Sequence, residues 1–213
     1  MESSRQGLAT SNELLAYTRY LDQLKDDLDR LPLAEAGRAA EILFRAYETD
    51  HTVFLFGNGG SAALASHCAA DLGKGTHCPG PESMAKVKRL RVLSLTENTA
   101  VLTAWANDLE YSTVFASQME SLIRPRDVAF GISGSGNSAN VLRALELARR
   151  LGAVTVGLAG FGGGKMKSLL DCAIVVPSDH MQRVEDAHLI LAHMIFLDLK
   201  RRIEAGARAA SDS

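Results

Sequence analysis

The sequence predicts an α/β fold in which a doubly wound, five-stranded parallel sheet follows two N-terminal helices. Five short apolar segments alternate with helical patterns, which is the order typical of a parallel sheet covered on both faces. Two of these segments end in turns rich in glycine and serine, at 57–61 and 133–138, that lead directly into helices. A chain of 213 residues with 46% hydrophobic content can bury one such core, and a second full domain would be cramped.

The domain boundaries follow from composition and from helical spacing of apolar residues. Polar tails are expected at 1–10 and 205–213, and a single domain at 11–204. This domain begins with a helical extension, made of helices at 11–31 and 34–48 that are separated by Pro32. These two helices either cover their own sheet or pack on another subunit.

The remaining elements alternate along the chain. Strands are expected at 52–56, 90–95, 127–132, 153–158 and 173–176, and helices from about Ser61 and then at 99–107, 111–123, 138–151, 165–170 and 183–204. An irregular loop is predicted at 73–88, which contains Pro79, Gly80 and Pro81, and a loop this long is often functional. The glycine cluster at 161–168 has no Ser or Thr directly after Lys165, so it is not a Walker A loop and is expected to be a flexible turn.

The two turns rich in glycine and serine predict a phosphate pocket. A helix N-terminus offers free amides and a positive dipole end, which favour an anion by about 0.3–1 kcal/mol. The hydroxyls of Ser61, Ser133, Ser135 and Ser138 can add hydrogen bonds to a phosphate without a cation. In the simpler interpretation the glycines only make tight turns and the serines only cap helices. Ligands of doubly wound sheets bind beyond the carboxyl ends of the strands, where both turns would lie.

A dinucleotide site is not favoured, although both turns match the G-x-G-x-x-A pattern. That fingerprint requires an acidic residue about twenty positions later, at the end of the second strand. Here Leu95 and Thr96 end the second strand, and Glu97 comes much later than the fingerprint requires. A pattern that is met twice by chance spacing also discriminates poorly.

Two helices carry acid-base groups at helical spacing. His67 and Asp71 share one face of the first core helix. Glu185 and His193 could point to one side of the last helix, while His188 is turned away from them. Together the four form a set of two nitrogen and two oxygen ligands, which suits zinc or a similar divalent ion. Each of these residues alone is typical of a capped, interface or solvated group, so spacing alone leaves the metal open.

Charge and cysteine content narrow the classes of protein. The formal net charge of -2, with acids and bases interspersed, gives no basic stripe for nucleic acid. No apolar run approaches the length of a membrane span, and the first residues lack the apolar core of a signal peptide. The 3 cysteines have no CxxC spacing, which fits reduced thiols. We therefore expect a cytoplasmic protein with no direct nucleic-acid or membrane partner.

Four segments carry a resemblance to a known family: FGNGGSAALASHCAADL, ISGSGNSANVLRALE, AWANDLEYSTVF and RVEDAHLILAHM. They resemble the phosphoheptose isomerases, a branch of the sugar isomerase (SIS) domain family. The resemblance covers about 14–200 and implies an SIS-type, flavodoxin-like sheet, a homotetramer and sites shared between subunits. It also implies aldose-ketose isomerisation of a phosphorylated sugar, sedoheptulose 7-phosphate to D-glycero-D-manno-heptose 7-phosphate.

Two other functions stay open at this point. Relatives of the same fold that bind a replication initiator protein are also similar, in the stretch SLTENTAVLTAWAND. The first alternative is therefore a non-catalytic protein that binds a phosphosugar or a replication initiator. The second alternative is an isomerase of hexose or pentose phosphates.

The resemblance assigns roles to individual positions. It implies that the phosphate is held by Ser61, Ser133, Ser135 and Ser138. The other substrate-binding residues are Asn58 and Asp108, which face the sugar hydroxyls, and Glu185. The implied ligands of a metal, zinc first, are His67, Asp71, Glu185 and His193. Asp71 would be the base and His193 the acid. Asp71 replaces the usual Glu and is shorter by one bond of about 1.5 Å. Glu185 replaces the usual Gln, and its added charge favours a bound cation. Gly134 stands where the family often has Thr, which removes one possible phosphate donor.

Overall fold

The computed structural model describes residues 11–76 and 88–211, without the side chains of 11–13 and 207–211. Its strands are β1 (Thr52–Gly57), β2 (Arg91–Ser94), β3 (Val128–Ser133), β4 (Val154–Ala159) and β5 (Cys172–Val175). Its helices are α1 (Ser11–Leu28), α2 (Leu33–Glu48), α3 (Gly60–Gly75), α4 (Thr99–Asp108), α5 (Val114–Glu120), α6 (Ala139–Arg150) and α7 (Met181–Ser211). Short 3₁₀ turns lie at Tyr111–Thr113, Phe161–Gly163 and Lys165–Leu169.

The five strands form one parallel sheet in the order β2-β1-β3-β4-β5. This is the flavodoxin-like order, and it confirms the predicted fold class. The chain winds outward from β1 to β2 and then returns across β1 to β3, so the winding reverses between β1 and β3. Gly57 at the end of β1 pairs with Ile132 of β3. The two turns rich in glycine and serine therefore begin side by side at the switch point, where ligands of such sheets bind.

Each face of the sheet is covered by its own set of helices. Successive residues of a strand point to opposite faces, and β1 shows this clearly. Val53 and Leu55 pack with the buried faces of α2, α3 and α7. Phe54 and Phe56 pack with α5 and α6. In the part of the chain that the structure describes, no helix is both long and apolar enough to cross a membrane.

Helices α3 and α7 both extend beyond their predicted C-terminal ends. Helix α3 continues to Gly75, past the expected start of the loop at Gly73. A β-carbon on Gly75 would lie 2.5 Å from the ring of Phe196 on α7, so this glycine permits the two helices to approach closely. The rest of the predicted loop, 77–87, lies outside the described residues. Helix α7 also continues beyond the expected end near 204, so part of the segment predicted as a tail is helical as far as Ser211.

Smaller differences concern four other elements. Helix α1 ends at Leu28, because the chain already turns before Pro32. The helix expected at 111–123 is a 3₁₀ turn followed by α5, and the helix expected at 165–170 is a 3₁₀ turn. The predicted strand at 90–95 is reduced to the short edge strand β2, in which only Ser94 is buried.

Candidate active site

The serine loop, defined as residues 133–138, connects β3 to α6. The hydroxyl oxygens of Ser133 and Ser138 lie 3.1 Å apart. Ser138 is the N-cap of α6, yet its side chain makes no capping hydrogen bond. The Ser135 hydroxyl accepts a hydrogen bond from the Asn137 amide at 3.2 Å. The Ser138 hydroxyl therefore contacts Ser133 rather than capping the helix.

The glycine cluster that follows β4 packs directly on the serine loop. Gly136 has a φ of 64°, and a β-carbon there would lie 2.1 Å from the carbonyl oxygen of Gly163. The Met166 amide donates to the Gly136 carbonyl at 2.9 Å, and the Lys165 amide donates to the Asn137 side chain at 3.1 Å. The expected flexible turn is therefore a structural support of the serine loop, because its glycines permit backbone to contact backbone.

The first turn places Ser61 at the start of α3, opposite the serine loop. Ser61 and Ser133 are only 7% and 4% exposed. Both lie at the carboxyl ends of adjacent strands, next to the paired residues Gly57 and Ile132. The predicted phosphate residues are thus grouped at one end of the sheet.

Asn58, which was expected to face the sugar, is held by hydrogen bonds within the protein. Its side-chain amide exchanges two hydrogen bonds with Asn140, both at 2.8 Å. The Tyr111 hydroxyl donates to the same Asn58 oxygen at 2.9 Å. No local spacing connects Asn140 and Tyr111 to Asn58, so the sequence does not predict these two partners. Asp108 lies exposed at the end of α4, where its carboxylate accepts a hydrogen bond from Asn107.

Three of the four predicted metal ligands come together between α3 and α7. The ligand atoms of His67, Asp71 and His193 lie within 4.8 Å of one another. The two histidine Nε2 atoms are 2.9 Å apart, and they lie 3.3 Å (His67) and 3.9 Å (His193) from Asp71 Oδ2. Zinc bonds of about 2.0–2.1 Å at tetrahedral angles place ligand atoms about 3.3 Å apart. The set of His67, Asp71 and His193, called the metal triangle below, therefore has spacings compatible with a small divalent ion such as zinc.

The fourth predicted ligand, Glu185, is not part of this triangle. Its carboxylate lies against Gly60, and both carboxylate oxygens would be 3.1 Å from a β-carbon built there. A carboxylate in this position is stabilised by the N-terminal end of the α3 dipole. Glu185 therefore lies near the start of α3, as Ser61 does. A cleft of about 380 Å³ is lined by Gly60, Ser61, His67, Glu185 and His193, among others, but neither Asp71 nor the serine loop is among its lining residues.

Two further side chains beside the triangle have shifted pKa values. Burial lowers the pKa of His188 to about 4, and the backbone of Ala159 opposes this shift only in part. His188 is 1% exposed, and neither ring nitrogen has a hydrogen-bond partner of good geometry. Burial, together with the charge of Asp71, raises the pKa of the Cys68 thiol to about 12. Cys68 is therefore protonated at neutral pH.

A parallel sheet of this order with paired serine turns is the arrangement of a SIS domain, a class of sugar-phosphate-binding proteins. A family model described as "SIS domain" matches residues 16–160. The chain is 40% identical over 183 residues to the phosphoheptose isomerase of Helicobacter pylori (strain P12). The matched region covers 86% of this chain and 90% of that protein. The chain therefore belongs to the phosphoheptose isomerases of the SIS domain family.

Further relatives agree with this membership. The phosphoheptose isomerase of Aquifex aeolicus is 42% identical over 157 residues, covering 73% of this chain and 78% of that protein. Among solved structures, the phosphoheptose isomerase of Neisseria gonorrhoeae matches with a TM-score of 0.78 and 30% identity, covering 89% of this chain and 98% of that chain.

Proposed function

We propose that this protein, a sugar-phosphate isomerase, interconverts sedoheptulose 7-phosphate and D-glycero-D-manno-heptose 7-phosphate. The observation that carries the proposal is one cleft lined both by Ser61, a proposed phosphate residue, and by His67 and His193, whose Nε2 atoms lie beside Asp71. The relatives named as phosphoheptose isomerases support the choice of substrate. They do not favour a non-catalytic binder.

In the proposed reaction the phosphate is held by the amide end of α3 and by the hydroxyls of Ser61, Ser133, Ser135 and Ser138. Asp71 removes the proton from the carbon beside the carbonyl group, and His193 gives a proton to the carbonyl oxygen. This produces an enediol, and the reverse transfers at the neighbouring carbon and oxygen complete the isomerisation. Acid-base groups of this kind contribute about 10²- to 10⁴-fold each.

The donor set of His67, Asp71 and His193 also fits a divalent ion. Glu185, which lies outside this triangle, is proposed as a fourth ligand that reaches the ion after a change of its side-chain conformation. When bound, zinc would polarise the substrate carbonyl as a Lewis acid, in place of proton donation by His193, whose Nε2 would then be a ligand. The charges support this, because two carboxylates and two neutral imidazoles balance a dication. Asn58 and Asp108 remain the proposed contacts to sugar hydroxyls.

An NMR assay in deuterated water tests the reaction. Sedoheptulose 7-phosphate and hexose and pentose phosphates are offered to the protein after chelation and after zinc addition. We expect conversion of the heptulose phosphate, with solvent deuterium incorporated beside the carbonyl. Asp71→Asn should lose about 10²- to 10⁴-fold in kcat, whereas Asp71→Glu, which keeps the carboxylate, should retain activity. Absence of conversion under every condition would favour a phosphosugar-binding protein.

The metal has a test that does not depend on activity. Without metal, the 2.9 Å contact between the Nε2 atoms of His67 and His193 requires one of them to carry a proton. With zinc bound to both Nε2 atoms, each ring must carry its proton on Nδ1. Nitrogen-15 NMR of the imidazoles should therefore show a change of tautomer in one ring when zinc is added. Unchanged tautomers at saturating zinc would contradict the proposed ligands.

A homo-oligomer, most simply a tetramer, is proposed from the exposed apolar surface. Helix α4 has no buried side chain, although it carries Leu102 and Trp105. On α1, Leu14, Leu15, Tyr17 and Leu21 are all more than half exposed. A second copy of the chain would cover such faces. Sedimentation at micromolar concentration should show an assembly larger than a monomer.

The cytoplasmic location stays a prediction.

A further inference from the structure

We propose that Asn140 and Tyr111 are positioning residues for phosphate recognition, because they clamp Asn58 and so fix the separation of the two serine-bearing turns. This inference rests on the proposed function. It gives Asn58 a role within the protein in addition to any contact with a sugar. It also assigns a role to two residues that lie outside the serine loop and outside the metal triangle.

The clamp occupies most of the hydrogen-bonding capacity of Asn58. A side-chain amide has two acceptor positions on its oxygen and two N–H donors. The Asn58 oxygen accepts from Asn140 at 2.8 Å and from Tyr111 at 2.9 Å, so both acceptor positions are used. One N–H of Asn58 donates to the Asn140 oxygen at 2.8 Å. One N–H is left for a ligand.

The residues of the clamp come from three segments that meet beside the phosphate pocket. Asn58 lies in the turn between β1 and α3, three positions before Ser61. Asn140 lies two positions after Ser138, near the start of α6, and is 3% exposed. The reciprocal amide pair therefore connects the first turn directly to the end of the serine loop. Movement of one turn away from the other would break both hydrogen bonds.

Tyr111 braces this pair from the 3₁₀ turn after α4. The same turn is joined to α6 by an ion pair between Glu110 and Arg143. The hydrogen bond from Arg143 lowers the pKa of Glu110. The Tyr111 ring is 58% exposed, so its hydroxyl can be removed without opening a cavity in the core. This makes Tyr111→Phe a clean test of the clamp.

The experiment compares wild type with Tyr111→Phe, using inorganic phosphate as the probe of the pocket alone. Loss of one neutral hydrogen bond to Asn58 should raise the Kd for phosphate about 3- to 10-fold. The KM for the sugar phosphate should rise by the same factor, with kcat within about twofold of wild type. Tyr47→Phe, the same chemical change on α2, is the matched control and should leave all three values unchanged.

A second variant tests the shared target of the two residues. Asn140→Ala removes both hydrogen bonds of the amide pair and should weaken phosphate binding more than Tyr111→Phe. Since both residues act through Asn58, adding Tyr111→Phe to Asn140→Ala should cause little further loss. Melting temperatures of both variants show whether folding is retained.

The outcomes separate the clamp from the proposed function. If Tyr111→Phe raises the KM for sugar phosphate but leaves the Kd for phosphate unchanged, the residue acts on the sugar and the clamp is wrong. Unchanged values for both, or a loss confined to kcat, would also overturn it. If wild type converts no sugar phosphate yet binds phosphate and Tyr111→Phe weakens that binding, the clamp stands and the proposed reaction does not. If wild type binds no phosphate, both fail.

Discussion

Replacement of the buried His188 by leucine should change how the stability of the protein depends on pH. Both ring nitrogens are buried without good partners, and burial holds the pKa near 4 against an ordinary value of 6.5. Between these values the unfolded chain binds a proton at this position and the folded protein does not. Because the folded-state pKa is depressed, stability is fully present above pH 6.5 and is lost as the pH falls toward 4.

The size of the effect follows from the difference between the two pKa values. A shift of one pKa unit corresponds to about 1.4 kcal/mol. Full protonation of His188 in the unfolded chain therefore lowers the free energy of unfolding by about 3 kcal/mol. At about pH 5 the loss contributed by His188 should already be about 2 kcal/mol. His188→Leu removes this titration, and at about pH 8 it should be close to neutral, because two unpaired buried nitrogens are removed with the ring.

Urea unfolding, followed by circular dichroism in the presence of chelator and at constant protein concentration, measures the effect. Between about pH 8 and about pH 5, the unfolding free energy of His188→Leu should rise by about 2 kcal/mol relative to that of wild type. His180→Leu is the control, since His180 is exposed near the start of α7. If the two variants show the same pH dependence, the buried neutral state of His188 is refuted.

Three further predictions concern the phosphate pocket, the metal and the polar connection between α1 and α7. Gly136→Ala should weaken phosphate binding more than tenfold by calorimetry, because its β-carbon would collide with the Gly163 carbonyl. Glu185→Gln should lower zinc affinity but change phosphate affinity less, as competition with a chromophoric chelator would show. Arg183→Leu should destabilise by about 1–3 kcal/mol in urea unfolding, because it removes a 2.7 Å partner from the buried Asp27.

The sheet could be predicted from the sequence because its determinants are local. Each strand is a short apolar run, and each turn into the next helix is marked by nearby glycine or serine. The extension of α3 to Gly75 could not be predicted in this way. Glycine is unfavourable inside a helix, and the contact that accounts for it here comes from Phe196, which is distant in the chain.

The same distinction applies to the candidate site. His67 and Asp71 share a helical face, so their proximity follows from spacing, and His193 joins them once α3 and α7 pack together. Glu185 lies instead against Gly60, a contact that no helical pattern contains. The amide pair of Asn58 and Asn140 could likewise not be predicted from the sequence, because it depends on the adjacency of β1 and β3 in the folded sheet.

The close approach of α3 and α7 also offers a route to redesign. The ligand triangle spans both helices, so its size depends on their separation rather than on the ligands alone. The ring of Phe196 lies where a side chain on Gly75 would begin, one turn from His193. A smaller or larger residue in place of Phe196 would therefore change the distances between the three ligand atoms without replacing any of the three residues. Zinc bonds of about 2.0–2.1 Å require ligand atoms about 3.3 Å apart, so this single contact is a means to alter the affinity of the proposed metal site.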